Sequence, residues 1–285
     1  HGRGIGTRVK STQIDAGAVL AWGLPRMRDL PWRNERDPWR ILVAEVMLQQ
    51  TQAERVIPKW LAFLDAFPTP RECAAAPLGD ILRLWQGLGY PRRARNLQAT
   101  AAIVVEHHNG LLPDKLEALL VLPGIGPYTA RAVLAFGFER DVAVVDTNVA
   151  RILARTAGER LTPKAAQSRA DAAVPLGDGW AWNQVMMDLG AGLCRPTPIC
   201  IECPLAASCS WRTAGQPDPD PAIGSAGVSS KQARFEGSTR QARGKVLKAL
   251  NDGARPAADF DLLVVSSLLA DRLIEQFGTT ISLPT

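Results

Sequence analysis

Apolar positions recur at helical spacing along most of the chain. The pattern predicts helices over 13–27 and 38–52, three more between 54 and 108, and an apolar run at Leu116, Leu119 and Leu120. A helix beginning near Pro127, another from Val149 to Ala157, and a pair between Pro163 and Leu193 follow. Start signals agree with this division: Asp37 precedes Pro38, Thr69 precedes Pro70, and Pro77 opens a further turn. The predicted class is all-α.

Two features depart from simple amphipathic patterning. In PWRILVAEVMLQQTQ, Glu45 interrupts an apolar run of Leu42, Val43, Val46, Met47 and Leu48. If it faces inward, poor solvation raises its pKa toward the value a general acid needs near neutral pH; on the polar stripe it would be an ordinary exposed carboxylate. In LPGIGPYTARAV, Gly124, Ile125 and Gly126 separate two helices. Such a hairpin offers close backbone approach and the positive end of a helix dipole to a phosphate, or merely turns the chain. Asp146 stands before Asn148 at the next helix start, where it can serve as a cap.

Other stretches allow both functional and plain readings. In Leu30-Pro31-Trp32-Arg33, burial preferences place Trp32 inside and Arg33 at the surface. Gln49 to Gln52 supplies amides and a hydroxyl suited to base edges or to water. Gly87-Leu88-Gly89-Tyr90-Pro91 is a turn that could press Leu88 and Tyr90 into a base stack while Arg92, Arg93 and Arg95 hold phosphates. It could equally be a plugged loop beside a solvated basic face.

Composition narrows the classes. Apolar content of 46% and charged content of 21% describe a soluble globular chain, expected in the cytoplasm. There is no apolar run of membrane length, so no membrane partner is expected. Thirty-three Lys and Arg against 28 Asp and Glu suit a polyanionic partner. Cys73 reads as a small buried residue. Cys194, Cys200, Cys203 and Cys209 follow a C-x5-C-x2-C-x5-C spacing. That crowding suits a soft metal centre, zinc or a [4Fe–4S] cluster, and the single close pair favours the cluster.

Residues 1–12 lack periodicity and read as a flexible end without function. From 213 to 238 the composition turns to Gly, Pro, Asp, Ser and Gln, which reads as a linker. Residues 239–285 resume periodicity: three short helices, at 243–250, 260–265 and 267–277, and a strand at 279–283 suggest a small winged-helix-like module.

Taken together, LPWR, VAEVMLQQTQ, LWQGLGYPRRARNL, LPGIGPYTARAV, VVDTNV, WNQVMMDLGA and the cysteine cluster resemble the helix-hairpin-helix DNA glycosylases that carry an iron–sulfur cluster. Within them the chain is most similar to adenine DNA glycosylases of the MutY type, from about Leu30 to Cys209, with a tail resembling short actinobacterial forms. The resemblance implies a six-helix barrel over 31–146 and a [4Fe–4S] helical domain from 13–30 and 147–212. It implies a monomer acting on double-stranded DNA that contains adenine opposite 8-oxoguanine or guanine. Glu45 matches the acid that protonates the flipped adenine, and Asp146 the carboxylate that stabilises the sugar cation. Asn148 and Tyr128 match residues that orient the site, while Arg33, Trp32 and Gln184 match the pocket. Leu48, Gln50, Thr51, Leu88 and Tyr90 match the surroundings of the opposite base, and Gly124, Ile125, Gly126 and Arg195 the phosphate contacts. Tyr128 stands where strand-cutting relatives have lysine, so base removal alone is implied. The usual relatives end in a larger NUDIX-like domain that reads 8-oxoguanine, which 70 residues after Trp211 do not resemble. A thymine or uracil glycosylase and a non-catalytic cluster protein are the alternatives.

Overall fold

A computed structural model describes residues 14–225 and 234–285; the end expected to be flexible, 1–12, lies outside the described residues, as does 226–233 of the expected linker. The helices in chain order are α1 (Ala16–Gly23), α2 (Pro38–Leu48), α3 (Ala53–Ala66), α4 (Pro70–Ala75), α5 (Leu78–Trp85), α6 (Arg92–His107), α7 (Leu116–Leu120) and α8 (Pro127–Phe136). They continue with α9 (Thr147–Ala157), α10 (Pro163–Ala173), α11 (Gly179–Gly192), α12 (Ser210–Thr213), α13 (Thr239–Ala249) and α14 (Leu262–Ala270). Strands β1 (Arg255–Pro256), β2 (Glu275–Phe277) and β3 (Thr280–Ser282) complete the described elements. No helix among the described residues is long and apolar enough to cross a membrane.

Local chemistry sets the ends. The Asp37 carboxylate accepts the Trp39 N–H at 2.8 Å, and Thr69 with Glu72 forms a capping box on α4. The helix α2 stops at Leu48, short of the expected Gln52, because Gln50 turns left-handed at φ 57°. Residues 54–108 hold four helices, not three, since α4 is a separate turn-and-a-half between prolines.

The chain forms two compact units, one from 1–28 and 139–230, the other from 29–138 and 231–285. In the second, α2 packs on α8 and α4 on α6 around Leu42, Val43, Met47, Phe63, Leu97 and Val133, all nearly or fully inaccessible. In the first, α9 and α11 pack together around Ile152, Leu153, Val185, Met186 and Leu189.

Residues 139–146 fall in the first unit, with α9. Asn183 of α11 accepts the Val144 N–H and donates to the Val142 carbonyl, each at 2.8 Å. Asp141 accepts the N–H groups of Gly177 and Gly179 at 2.8 and 3.0 Å. The expected linker is likewise structured up to Ser225. Its Asp220 pairs with Arg155, Trp211 donates to the Pro217 carbonyl at 2.8 Å, and Ala222 is buried in the core of the first unit.

The terminal residues form α13, α14 and an antiparallel sheet of order β1-β3-β2, with Ile281 paired to both Arg255 and Gln276. The helix expected at 267–277 is replaced by the end of α14 and β2, because Leu273 and Ile274 turn inward ahead of the hairpin. Helices followed by a small β-hairpin keep the winged-helix-like description. The module is part of the second unit, which removes the difficulty of stabilising so few residues alone.

Candidate active site and cysteine cluster

In the second unit Glu45 is 5% exposed, and the α2 residues Ile41 to Met47 are buried on all sides. The inward reading therefore holds: the carboxyl stands in a segment without a polar face. Trp32 lies in a 3₁₀ turn from Pro31 to Asn34, edge-on to Trp60 at 6.1 Å. Arg33 in the same turn is also buried, against the surface position expected of it. Tyr128 is half-buried in the first turn of α8, after Pro127.

The hairpin connects α7 to α8, with Ile125 buried beneath it. Gly124 needs to be glycine: its φ is 76°, and a Cβ there would lie 2.8 Å from the Asn96 amide. Gly126 is extended and needs no left-handed freedom, but a Cβ on it would meet nothing within 4 Å, so its surface is open. The N-cap residue Gly126 has no side chain to cap α8, whose start carries the positive end of the helix dipole. Gln49 at the end of α2 donates to the Thr129 hydroxyl at 3.2 Å, tying α2 to the hairpin.

Arg93 organises the neighbouring turn, a role the sequence reading missed. Its guanidinium donates to the carbonyls of Val46, Met47, Leu88 and Gly89 at 2.6 to 3.0 Å. Burial pushes its pKa down to about 10, so it remains charged at neutral pH. The expected phosphate-holding arginines are used internally: Arg93 in this way, Arg92 in an ion pair with Asp271, and Arg95 on the Asp271 carbonyl. Leu88 is 4% exposed and tucked inward, whereas Tyr90 is half-buried at φ 48° with its hydroxyl accepting from Arg240. Thr51 donates to the Leu88 carbonyl at 3.2 Å, Leu48 is half-buried, and Gln50 is exposed.

In the first unit Asp146 does cap α9, accepting the Val149 N–H at 2.7 Å, and more. Asn148 donates to its other oxygen at 3.0 Å and accepts from Arg151 at 2.8 Å. Arg151 in turn donates to the carbonyls of Gly190 and Cys194. A polar chain thus runs from Asp146 to the first cysteine. Burial raises the Asp146 pKa, opposed by the Val149 N–H, the Asn148 amide and Arg151. Gly190 lets α11 approach closely; a Cβ there would stand 2.6 Å from the Asn148 Cβ. Gln184 is buried on α11.

Cys194, Cys200, Cys203 and Cys209 line one cavity, although among the described residues no three ligand side chains are drawn to the spacing of a single metal ion. Arg155, only 2% exposed, donates to the Cys194 sulfur at 3.4 Å and to the carbonyls of Arg195 and Pro196. Burial pushes Cys203 up to about 11 and raises Cys194 and Cys209. Thiols held protonated in this way ionise together only around a cation, which fits a sulfur-ligated centre with Arg155 balancing its charge. Arg195 itself is exposed. The sequence held one cue to these buried cations: Arg151 and Arg155 stand one helical turn apart in the otherwise apolar VARILAR. Cys73 is buried, with its thiol pushed up to about 12.

The model of the HhH-GPD superfamily of base excision DNA repair proteins matches residues 43–176. An adenine DNA glycosylase from Mycobacterium tuberculosis is 40% identical over 276 residues, covering 90% of this chain and 88% of that protein. The chain belongs to the adenine DNA glycosylase family. The adenine DNA glycosylase of Mycolicibacterium smegmatis is 39% identical, covering 90% of this chain and 92% of that protein. The human adenine DNA glycosylase is 39% identical over 216 residues, covering 69% of this chain and 39% of that protein. Among solved structures, a thermostable thymine-DNA glycosylase superposes with a TM-score of 0.65 at 29% identity, covering 70% of this chain and 95% of that one. An endonuclease III trapped as a covalent DNA intermediate shares the adenine glycosylase fold, with a TM-score of 0.62 at 23% identity, covering 72% and 100%.

Proposed function

We propose that the chain is a monofunctional glycosylase that takes adenine opposite 8-oxoguanine or guanine out of the duplex and hydrolyses its glycosidic bond, leaving an abasic site. The burial of Glu45 within an apolar helix carries this reading. An unprotonated adenine must depart as an anion and leaves poorly, and a carboxyl kept from water is suited to hold the proton that the departing base needs. Departure leaves positive charge on the sugar. Asp146, aimed by Asn148 and the Val149 N–H, supplies the compensating carboxylate. Water then adds to the sugar carbon, with Glu45 able to take its proton.

Gln184, Arg33 and Trp32 serve the adenine pocket, and Tyr128 orients the nucleotide without an amine to form a Schiff base. The hairpin from Gly124 to Gly126 takes a phosphate, and Arg195, exposed in the cluster loop, contacts the DNA backbone. Cys194, Cys200, Cys203 and Cys209 would hold a [4Fe–4S] cluster, whose chemistry here is to fold and orient that loop. The chain works on DNA, as a monomer, in the cytoplasm.

Base release from duplexes carrying A:8-oxoguanine, A:G, T:G and U:G tests the assignment. Release of adenine from the first two alone is expected, with no borohydride-trapped adduct. Preferential release of thymine or uracil would assign the chain to the mismatch glycosylases, and no release at all to a binding protein.

A further inference from the structure

C-terminal to Cys209 the chain folds back onto the cysteines of the first unit. The Gln216 amide donates to the Cys200 sulfur at 3.5 Å, and Trp211, which lines the cysteine cavity, donates to the Pro217 carbonyl. Farther on, the Leu161 N–H donates to the Ser225 hydroxyl at 3.1 Å and Arg160 to the Gly224 carbonyl at 2.6 Å. Pro221, Ala222 and Ser225 are buried. Residues 216–225 therefore form a strap laid on the first unit, although the run QPDPDPAIGS carries little apolar surface of its own.

One buried cation ties this strap to the cysteine loop. Through Nε, Arg155 donates to both oxygens of Asp220, at 3.2 and 3.1 Å. The rest of the same guanidinium serves the loop between the first two cysteines: Nη1 donates to the Cys194 sulfur and the Arg195 carbonyl, and Nη2 to the Pro196 carbonyl. It also lies over the Trp211 ring, 4.8 Å from the centroid. A planar fork can join a carboxylate, two carbonyls and a sulfur in this way, whereas a point charge cannot. Because strap and loop share Arg155, order in either one favours order in the other.

We infer that residues 216–225 belong to the cluster site as a retaining strap. Asp220 fixes the Arg155 guanidinium against the Cys194 loop, and Gln216 reaches the Cys200 sulfur, so that strap and cluster hold each other in place. This rests on the reading that the four cysteines hold a [4Fe–4S] cluster. Asp220 and Gln216 are positioning residues and not ligands. Hydrogen bonds to ligand sulfurs and the groups that orient them govern how firmly such a centre is kept. A segment that only led into the next module would need neither contact.

Loss of the cluster's visible absorbance from the loaded full chain under ferricyanide, read beside thermal melting, tests the strap. The variants are Asp220→Asn, Asp220→Glu, Gln216→Met and, as a control at an exposed strap position, Ile223→Ser. Asp220→Asn is expected to lose the cluster about 10-fold faster and Gln216→Met a few fold faster, with Asp220→Glu recovering most of the retention and Ile223→Ser unchanged. Amide hydrogen exchange across 216–225 is expected to rise on removal of the cluster by more than exchange in α10 does. Cluster loss by Asp220→Asn that only follows a lower melting temperature, with Gln216→Met and strap exchange unaffected, would reduce the strap to packing. An unaltered chain without the visible absorbance would overturn the cluster reading itself, and the strap's role with it.

Discussion

Glu45 and Asp146 belong to different units and are controlled in opposite ways. Around Glu45 the α2 segment places buried aliphatic side chains, Leu42, Val43, Val46 and Met47, so solvent is largely excluded. Around Asp146 it places donors: a helix-end N–H, an asparagine amide and, behind that, Arg151 linked to Cys194. Burial raises the Asp146 pKa all the same, and the donors work against that rise.

Removing the charge without the cap breaks the comparison most sharply. Asp146→Asn keeps a good helix cap but loses the carboxylate, so single-turnover adenine release should fall by at least about 100-fold. Its stability should move the other way. The folded pKa of Asp146 is raised, so below the unfolded value both states hold the proton and the variant gains nothing. Above the folded value the buried charge costs stability, and Asp146→Asn should melt higher at neutral pH, the gain vanishing toward acid. Thermal melting across that range checks the sign. A variant that melts lower at neutral pH would show that the donors outweigh burial.

Arg93→Met tests whether the second unit relies on apolar packing alone. Four backbone carbonyls lose their donor, and a destabilisation of about 2–4 kcal/mol is expected by denaturant unfolding. A neutral result would mean that the turn holds itself.

Gly190→Ala gives the smallest expected effect and sharpens the other half. The methyl group would press on Asn148, costing about 1–3 kcal/mol in stability. Adenine release should drop by more than duplex binding does, because the displaced residue orients Asp146 rather than holding DNA. Equal losses in both would place Asn148 in binding.

The parts legible in the sequence were those written in local pattern. Glu45 stood out because a charge interrupted an apolar run, and the cysteines because four thiols fell within one short loop. The hairpin was readable from its glycines, of which Gly124 adopts the left-handed backbone and Gly126 is extended. Arg93 and Asn183 escaped because their partners are backbone carbonyls and N–H groups remote in sequence, which no composition encodes. The residues up to Ser225 looked like linker for a related reason. Their order comes from Asp220 meeting Arg155 and from Ala222 entering the core, not from a periodic apolar pattern of their own. Leu88 shows what a local pattern leaves open: the turn read equally as a wedge or as a plugged loop, and Arg93 and Trp85 hold it with Leu88 tucked inward.

The central claim is that a buried Glu45 supplies the proton for adenine departure. Single-turnover release from an A:8-oxoguanine duplex by Glu45→Gln, alongside binding to the same duplex with a non-hydrolysable adenosine analogue, tests it most directly. The account predicts release reduced by at least about 100-fold with binding kept within a few fold. Release at the rate of the unaltered chain would contradict it.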